Sequence, residues 1–187
     1  MSVETYLSEA MAVLDRMRQA DSARRVEAAA QLIARALSDG RPLLVCGNGG
    51  SAADALHIAG ELVGRYLKER RAYKCIALTA DSSVLTAWSN DYGFETVFSR
   101  QVEAYGEPGG VVLGLSTSGN SPNVVEAFRK AREMEMSTVA FTGEGGGALK
   151  PLSDLLIDVP SRRTPEIQQV HVCLYHYLCG RIEDLLA

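Results

Sequence analysis

The sequence predicts an α/β protein: a three-layer α/β/α sandwich with a five-stranded parallel sheet, Rossmann-like in its connections and preceded by N-terminal helices. Five short apolar runs, at 43–46, 75–78, 111–115, 138–141 and 155–159, are nearly continuous instead of alternating. Strands covered on both faces have this pattern, because neither face meets water. Helical patterns lie between the runs, notably at 52–67 and 122–134, and strand–helix alternation makes right-handed crossovers over a parallel sheet. The 187 residues, 47% hydrophobic and 22% charged, suffice for one domain with a sizeable core.

The elements follow in order. Leu7, Ala10, Met11, Leu14 and Met17 recur at helical spacing, and so do Val26, Ala29, Leu32, Ile33 and Leu37. Two helices therefore fill residues 3 to about 38, with a break and N-cap at Asp21-Ser22 and a stop at Gly40. The strands and crossovers come next, and a last helix runs over about 164–186. No internal repeat, low-complexity tract or dividing linker interrupts the chain.

Composition excludes several classes. Net charge is −4 with no basic run, so the footprint of a nucleic-acid binder is missing. A local field can still draw in small anions. The first twenty residues have neither the basic front nor the apolar stretch of a signal peptide, and no apolar run is long enough to span a bilayer. Cys46, Cys75, Cys173 and Cys179 form no C-x-x-C pair. They are expected to be buried thiols in a reducing cytoplasm.

In an open parallel sheet, ligands bind beyond the carboxyl ends of the strands. Two loops there have unusual compositions. Loop 47–51, Gly-Asn-Gly-Gly-Ser, lets a ligand approach the backbone, with Ser51 placed to cap the following helix. Loop 116–121, Ser-Thr-Ser-Gly-Asn-Ser, puts four hydroxyls and an amide just ahead of Pro122, a favoured first helical position. Hydroxyls and backbone N–H groups at a helix N-terminus suit a phosphate monoester. The loop has no lysine and no G-K-[ST] ending, so it is not a nucleotide P-loop. Residues 89–93 read as a polar turn able to meet sugar hydroxyls, and 143–147 as a turn only.

Three histidines offer acid–base chemistry. His57 and Glu61 are four apart on the helix at 52–67 and share a face. Arg65 is also four residues from Glu61, and on spacing alone an exposed Glu61–Arg65 pair is the favoured reading. His171 and His176, five apart on the last helix, lie on different faces and have different roles, and spacing does not choose between them. Aldose–ketose isomerisation needs a base for a carbon-bound proton, an acid for the neighbouring carbon, and an anchor that holds the substrate in register. A carboxylate, an imidazole and a phosphate loop supply these parts.

Taken together, these residues resemble a known family. G-N-G-G-S at 47–51, His57 and Glu61, N-D-Y-G-F at 90–94, S-T-S-G-N-S at 116–121, and I-Q-x-x-H at 167–171 with His176 are similar to the motifs of the phosphoheptose isomerases, a branch of the SIS domain family. The likeness covers nearly all of residues 1–187, as a single SIS domain whose segment 1–40 packs on it or on a partner subunit. It implies conversion of sedoheptulose 7-phosphate to D-glycero-D-manno-heptose 7-phosphate, with Glu61 and His176 as the acid–base pair. Contacts to this phosphorylated seven-carbon sugar would come from Asn48, Gly49, Gly50, Ser51, Glu61, Asn90, Asp91, Ser116, Thr117, Ser118, Ser121 and Gln168. The resemblance also implies Zn2+ on His57, Glu61, Gln168 and His176, and a homotetramer with active sites at subunit interfaces. The departures are Gln169 where many members have Glu, Glu166 after Pro165 where Arg is common, and Ala52 where some have His. They fall on the rim of the expected site.

Three other readings compete. SIS proteins of this size also act as non-catalytic adaptors for a replication initiator, but those lack the pair that Glu61 and His176 form here. An isomerase or sensor for another sugar phosphate shares the core, and the arabinose 5-phosphate version has a longer chain. A dinucleotide-binding Rossmann protein accepts Ala52 in its glycine fingerprint, but Asp81 comes too late for the usual ribose contact, so no nucleotide cofactor is expected.

Overall fold

A computed structural model describes residues 2–186, so Met1 and Ala187 lie outside the description, as does the side chain of Ser22. The elements are α1 (Val3–Gln19), α2 (Asp21–Ser38), β1 (Leu43–Gly47), α3 (Gly50–Val63), β2 (Cys75–Ala77), α4 (Ser82–Tyr92), α5 (Val97–Tyr105), β3 (Val111–Ser116), α6 (Pro122–Glu133), β4 (Ser137–Thr142), β5 (Leu155–Asp158) and α7 (Thr164–Leu186), with short 3-10 turns at Phe94–Thr96 and Gly147–Leu152. The five strands pair in parallel in the order β2-β1-β3-β4-β5. The expected fold class is thus the observed one.

Alternate residues of each strand feed two separate cores. Leu43, Val45, Leu113, Leu115, Val139 and Phe141 pack beneath α2, α3 and α7. Leu44, Cys46, Val112 and Ala140 pack against α5 and α6. β3 is buried along its whole length. At Gly114 a side chain would collide with Phe128, since a Cβ there would lie 2.5 Å from its ring.

The strand order reverses between β1 and β3. A crevice therefore opens at their carboxyl ends, and the two loops singled out above border it. Asn48 and Asn123 bridge this crevice with two reciprocal amide hydrogen bonds of 2.8 Å.

Several boundaries differ from expectation. The break between α1 and α2 falls at Ala20, which is extended and caps without its side chain, and α2 already begins at Asp21. Helix 52–67 instead spans Gly50–Val63, because Gly64 breaks the pattern and Arg70 takes the terminal carbonyls. Its guanidinium donates to the carbonyls of Glu61 (2.6 Å), Leu62 (3.0 Å) and Gly64 (2.8 Å), an efficient way to satisfy a helix C-terminus. Residues 89–92 are the last turn of α4 and not a loop; α4 fully buries no residue and rests on the core through the half-buried Leu85 and Trp88 alone, so its apolar signal is weak. Cys46, Cys75 and Cys179 are buried, but Cys173 is exposed on α7. No helix among the described residues is long and apolar enough to cross a membrane.

Candidate active site

The loop after β1 turns sharply at Gly49, whose φ of 56° and ψ of −120° only glycine adopts without strain. Gly49, not Ser51, occupies the N-cap of α3. Ser51 is buried in the first turn, its amide bonded to the Asn48 carbonyl. Gln168 of α7 presses on the same turn: a Cβ on Gly50 would sit 2.6 Å from its Nε2.

The loop after β3 is built by its own hydroxyls. Ser116 Oγ and Ser121 Oγ lie 2.8 Å apart, and Ser118 Oγ accepts the Asn120 amide at 3.1 Å. Ser121 is the N-cap of α6 but makes no side-chain bond to that helix, so the positive end of its dipole stays open to an anion. Turn 143–147 does more than reverse the chain. Gly119 (φ 68°) lies so close to the Gly146 carbonyl that neither backbone leaves room for a side chain at 119, and Asn120 Oδ1 accepts the Ala148 amide at 2.9 Å. The turn buttresses the hydroxyl-rich loop from below. The glycines at 143, 145, 146 and 147 were the available signal for this role.

The titratable groups gather further along α3. His57 Nε2 lies 2.9 Å from Glu61 Oε1, and one ligand atom each of His57, Glu61 and His176 fall within 4.8 Å of one another. The His57 and His176 rings meet edge-on with centroids 4.9 Å apart, and Tyr66 stacks on His176 at 5.8 Å. Glu61 therefore pairs with His57 and not with Arg65, which bonds Glu69.

Segment 64–72, which carries Tyr66, is held by Glu183 of α7. The Glu183 carboxylate is buried and accepts the amides of Tyr66, Leu67 and Lys68 and the Arg70 Nε. Burial alone would raise its pKa, but these donors together hold it below the usual carboxylate value. Behind His57, the buried Tyr175 hydroxyl lies 3.0 Å from Nδ1 and donates to Asp54 Oδ1 at 3.3 Å. Burial raises the Tyr175 pKa, and the nearby Asp54 adds to the rise; burial likewise raises that of Asp54.

The two histidines of α7 do have separate roles. His171 is fully buried against Phe141, with Nε2 on the Thr142 carbonyl at 3.2 Å, and desolvation brings its pKa down to about 4. It stays neutral and structural, whereas His176 joins the cluster. Gln168 stands eight residues before His176, about 12 Å up the helix axis, and faces Gly50 instead of the cluster. Asn90 and Asp91 are exposed at the end of α4 and bond each other at 2.8 Å. Glu166 is buried, accepting the Ser161 hydroxyl at 2.5 Å and pairing with Arg163. The sequence reading missed Asp54, Tyr175, Asn123 and Glu183.

A phosphate-type loop at the switch point of a parallel sheet, flanked by a carboxylate–imidazole cluster, defines a sugar-phosphate-binding α/β class. The chain belongs to the SIS domain family, whose model matches residues 5–143. Within that family it falls among the phosphoheptose isomerases. It is 52% identical over 170 residues to the phosphoheptose isomerase of Rhodospirillum rubrum, covering 91% of this chain and 90% of that one. It is 51% identical over 164 residues to that of Aquifex aeolicus, covering 88% and 86%. The solved structure of phosphoheptose isomerase GmhA from Neisseria gonorrhoeae superposes with a TM-score of 0.90 at 40% identity, over 97% of both chains.

Proposed function

We propose that this protein is an aldose–ketose isomerase that converts sedoheptulose 7-phosphate to D-glycero-D-manno-heptose 7-phosphate through an enediol, with Glu61 and His176 as its acid–base pair. The observation that carries this reading is the meeting of a carboxylate from α3 with imidazoles from α3 and α7 in one cluster. One member of the pair takes the proton from the carbon beside the carbonyl, and one delivers a proton to the neighbouring carbon. The hydrogen on the oxygens moves across the same edge of the substrate.

Loop 116–121 and the N-terminus of α6 hold the phosphate, through Ser116, Thr117, Ser118 and Ser121. Asn48, Gly49, Gly50, Ser51 and Gln168 line the sugar side. Asn48 gives part of its amide to Asn123, so it also sets the width of the crevice. Glu61 stands eleven residues from Gly50, about 16 Å down α3. Six carbon–carbon bonds of about 1.5 Å span under ~9 Å even when extended. The extended sugar chain is thus shorter than the Gly50–Glu61 backbone separation within one copy, which is consistent with sites shared between copies of a homotetramer. Val3, Leu7, Met11 and Leu14 give α1 an exposed apolar stripe suited to such assembly. In that arrangement Asn90 and Asp91 reach the sugar of another copy. Residues 1–187 act as one domain, with segment 1–40 packed on its own sheet through α2 and on a partner through α1.

His57, Glu61 and His176 also fit Zn2+: two imidazoles and a carboxylate converge, whereas Gln168 of the same copy faces Gly50 and stands apart from this cluster. Bound there, zinc would polarise oxygens of the sugar. The buried thiols, with Cys46 and Cys179 raised to about 12 by desolvation, suit a reducing cytoplasm.

NMR of purified protein with sedoheptulose 7-phosphate, with and without a chelator, tests the reading. Glu61→Gln and His176→Gln should each lower kcat by about 10²–10⁴ while the protein stays folded. Near-full turnover in either variant would reject the assigned role.

A further inference from the structure

We propose that Asp54 and Tyr175 form a hydrogen-bond relay that fixes the tautomer of His57, holding its Nε2 lone pair towards Glu61 and His176 as a ligand for a divalent cation. The relay deepens the function proposed above and takes its purpose from it, but its geometry stands apart from turnover.

The Tyr175 ring is 1% exposed, so its hydroxyl must find partners within the protein. It has two: Asp54 Oδ1 at 3.3 Å and His57 Nδ1 at 3.0 Å. A carboxylate only accepts, so the single phenolic hydrogen goes to Asp54. The phenolic oxygen then faces Nδ1 as an acceptor, and Nδ1 must carry a hydrogen. A neutral imidazole has one N–H, which leaves Nε2 with its lone pair.

That lone pair points at Glu61 Oε1, 2.9 Å away. Two acceptors at this separation hold together only with a cation between them, either a proton or a metal ion. His176 supplies a further donor atom within the 4.8 Å cluster. The relay thus makes the cluster a receptor for positive charge. Metal-binding histidines are commonly oriented in this way by a hydrogen bond from their other nitrogen. Asp54 lies three residues before His57 on α3, and Tyr175 directly precedes His176 on α7, so the relay also fixes the spacing of the two helices.

The ring hydrogen can be read directly. In 15N-labelled, metal-free protein, long-range nitrogen–proton correlation of the His57 ring should show a protonated Nδ1. Asp54→Ala removes a group that makes no hydrogen bond to His57, yet it frees the Tyr175 hydroxyl to donate to Nδ1 and should move the ring hydrogen to Nε2. Zn2+ affinity, measured by chelator competition, should then fall about 10–100-fold with little change in melting temperature. Asp54→Asn, whose amide oxygen still accepts, should keep the hydrogen on Nδ1 and most of the affinity. Tyr175→Phe, which empties the Nδ1 partner, should weaken Zn2+ as Asp54→Ala does. An unprotonated Nδ1 in the native protein would overturn the relay, as would an Asp54→Ala variant with unchanged tautomer and affinity. The expected tautomer shift in a protein that turns over no heptose phosphate would support the relay and count against the proposed reaction alone.

Discussion

Glu183→Gln tests how the active-site wall is held. Oε1 takes the Tyr66 amide at 2.8 Å and Arg70 Nε at 3.0 Å; Oε2 takes the Leu67 amide at 2.8 Å and the Lys68 amide at 3.1 Å. Glutamine has the same shape, but one of its two terminal atoms is an NH2. Whichever way it turns, two of the four donors face another donor, and the Arg70 guanidinium, 4% exposed, loses its counter-charge. Removing one member of a buried pair costs about 3–5 kcal/mol. A loss of ~4 kcal/mol is a large share of the ~5–15 kcal/mol that holds a domain together. For a chain of this length it lowers the melting temperature by roughly 8–16 °C.

Urea titration at fixed protein concentration should show a lower midpoint with an unchanged slope. The pH dependence has a definite sign. The folded pKa of Glu183 is depressed, so its contribution is full above the ordinary carboxylate pKa of 4.5 and is lost as pH falls through the folded value. The native and Glu183→Gln stabilities should therefore converge in acid. Replacing both partners, with Glu183→Leu and Arg70→Met, should recover only part of the loss, because the amides of residues 66–68 and the carbonyls at the end of α3 stay unpaired. A single-variant loss below about 1 kcal/mol would refute the view that this carboxylate anchors the segment.

Two further outcomes follow from other parts of the molecule. Ser118→Ala with Ser121→Ala should mainly raise KM, since the phosphate contact proposed for these hydroxyls would persist throughout the reaction; a pure kcat effect in steady-state kinetics would contradict the phosphate assignment. His171 has its folded pKa lowered to about 4 from 6.5, so the unfolded chain binds its proton first, and stability that is full above pH 6.5 declines by about 3 kcal/mol as pH falls towards 4. His171→Leu should flatten that part of the urea-midpoint profile, and an unchanged profile would assign the acid sensitivity elsewhere.

How much of this was legible in the sequence depends on where each signal lies. β1 and β3 announce themselves because burial on both faces leaves unbroken apolar runs, and the loops behind them stand out by glycine and hydroxyl content. α4 gives a weak signal because none of its residues is fully buried, and residues 89–92 consequently looked like a turn. The union of His57, Glu61 and His176 joins positions more than a hundred residues apart. Periodicity gives the face of each helix but not which helices meet, and the family resemblance supplied that step. Asp54, Tyr175 and Glu183 escaped for a related reason: a tyrosine or acid at a helical core position looks like any other until its polar atoms are followed to their partners. Gln168 was grouped with the metal ligands by resemblance, and within one copy its side chain meets Gly50 instead.

The contact between Gly119 and Gly146 joins main chain to main chain, with no side chain on either part. Steric relief by trimming a neighbour, the usual route by which a protein absorbs a new methyl group, is unavailable at position 119; at 146 a new Cβ would meet the Leu156 side chain, and there the φ of 78° is what favours glycine. Chain-wide randomisation selected for heptose turnover should return glycine at both codons, with no compensating double replacement. A loop graft intended to alter substrate range would have to transplant the two segments together.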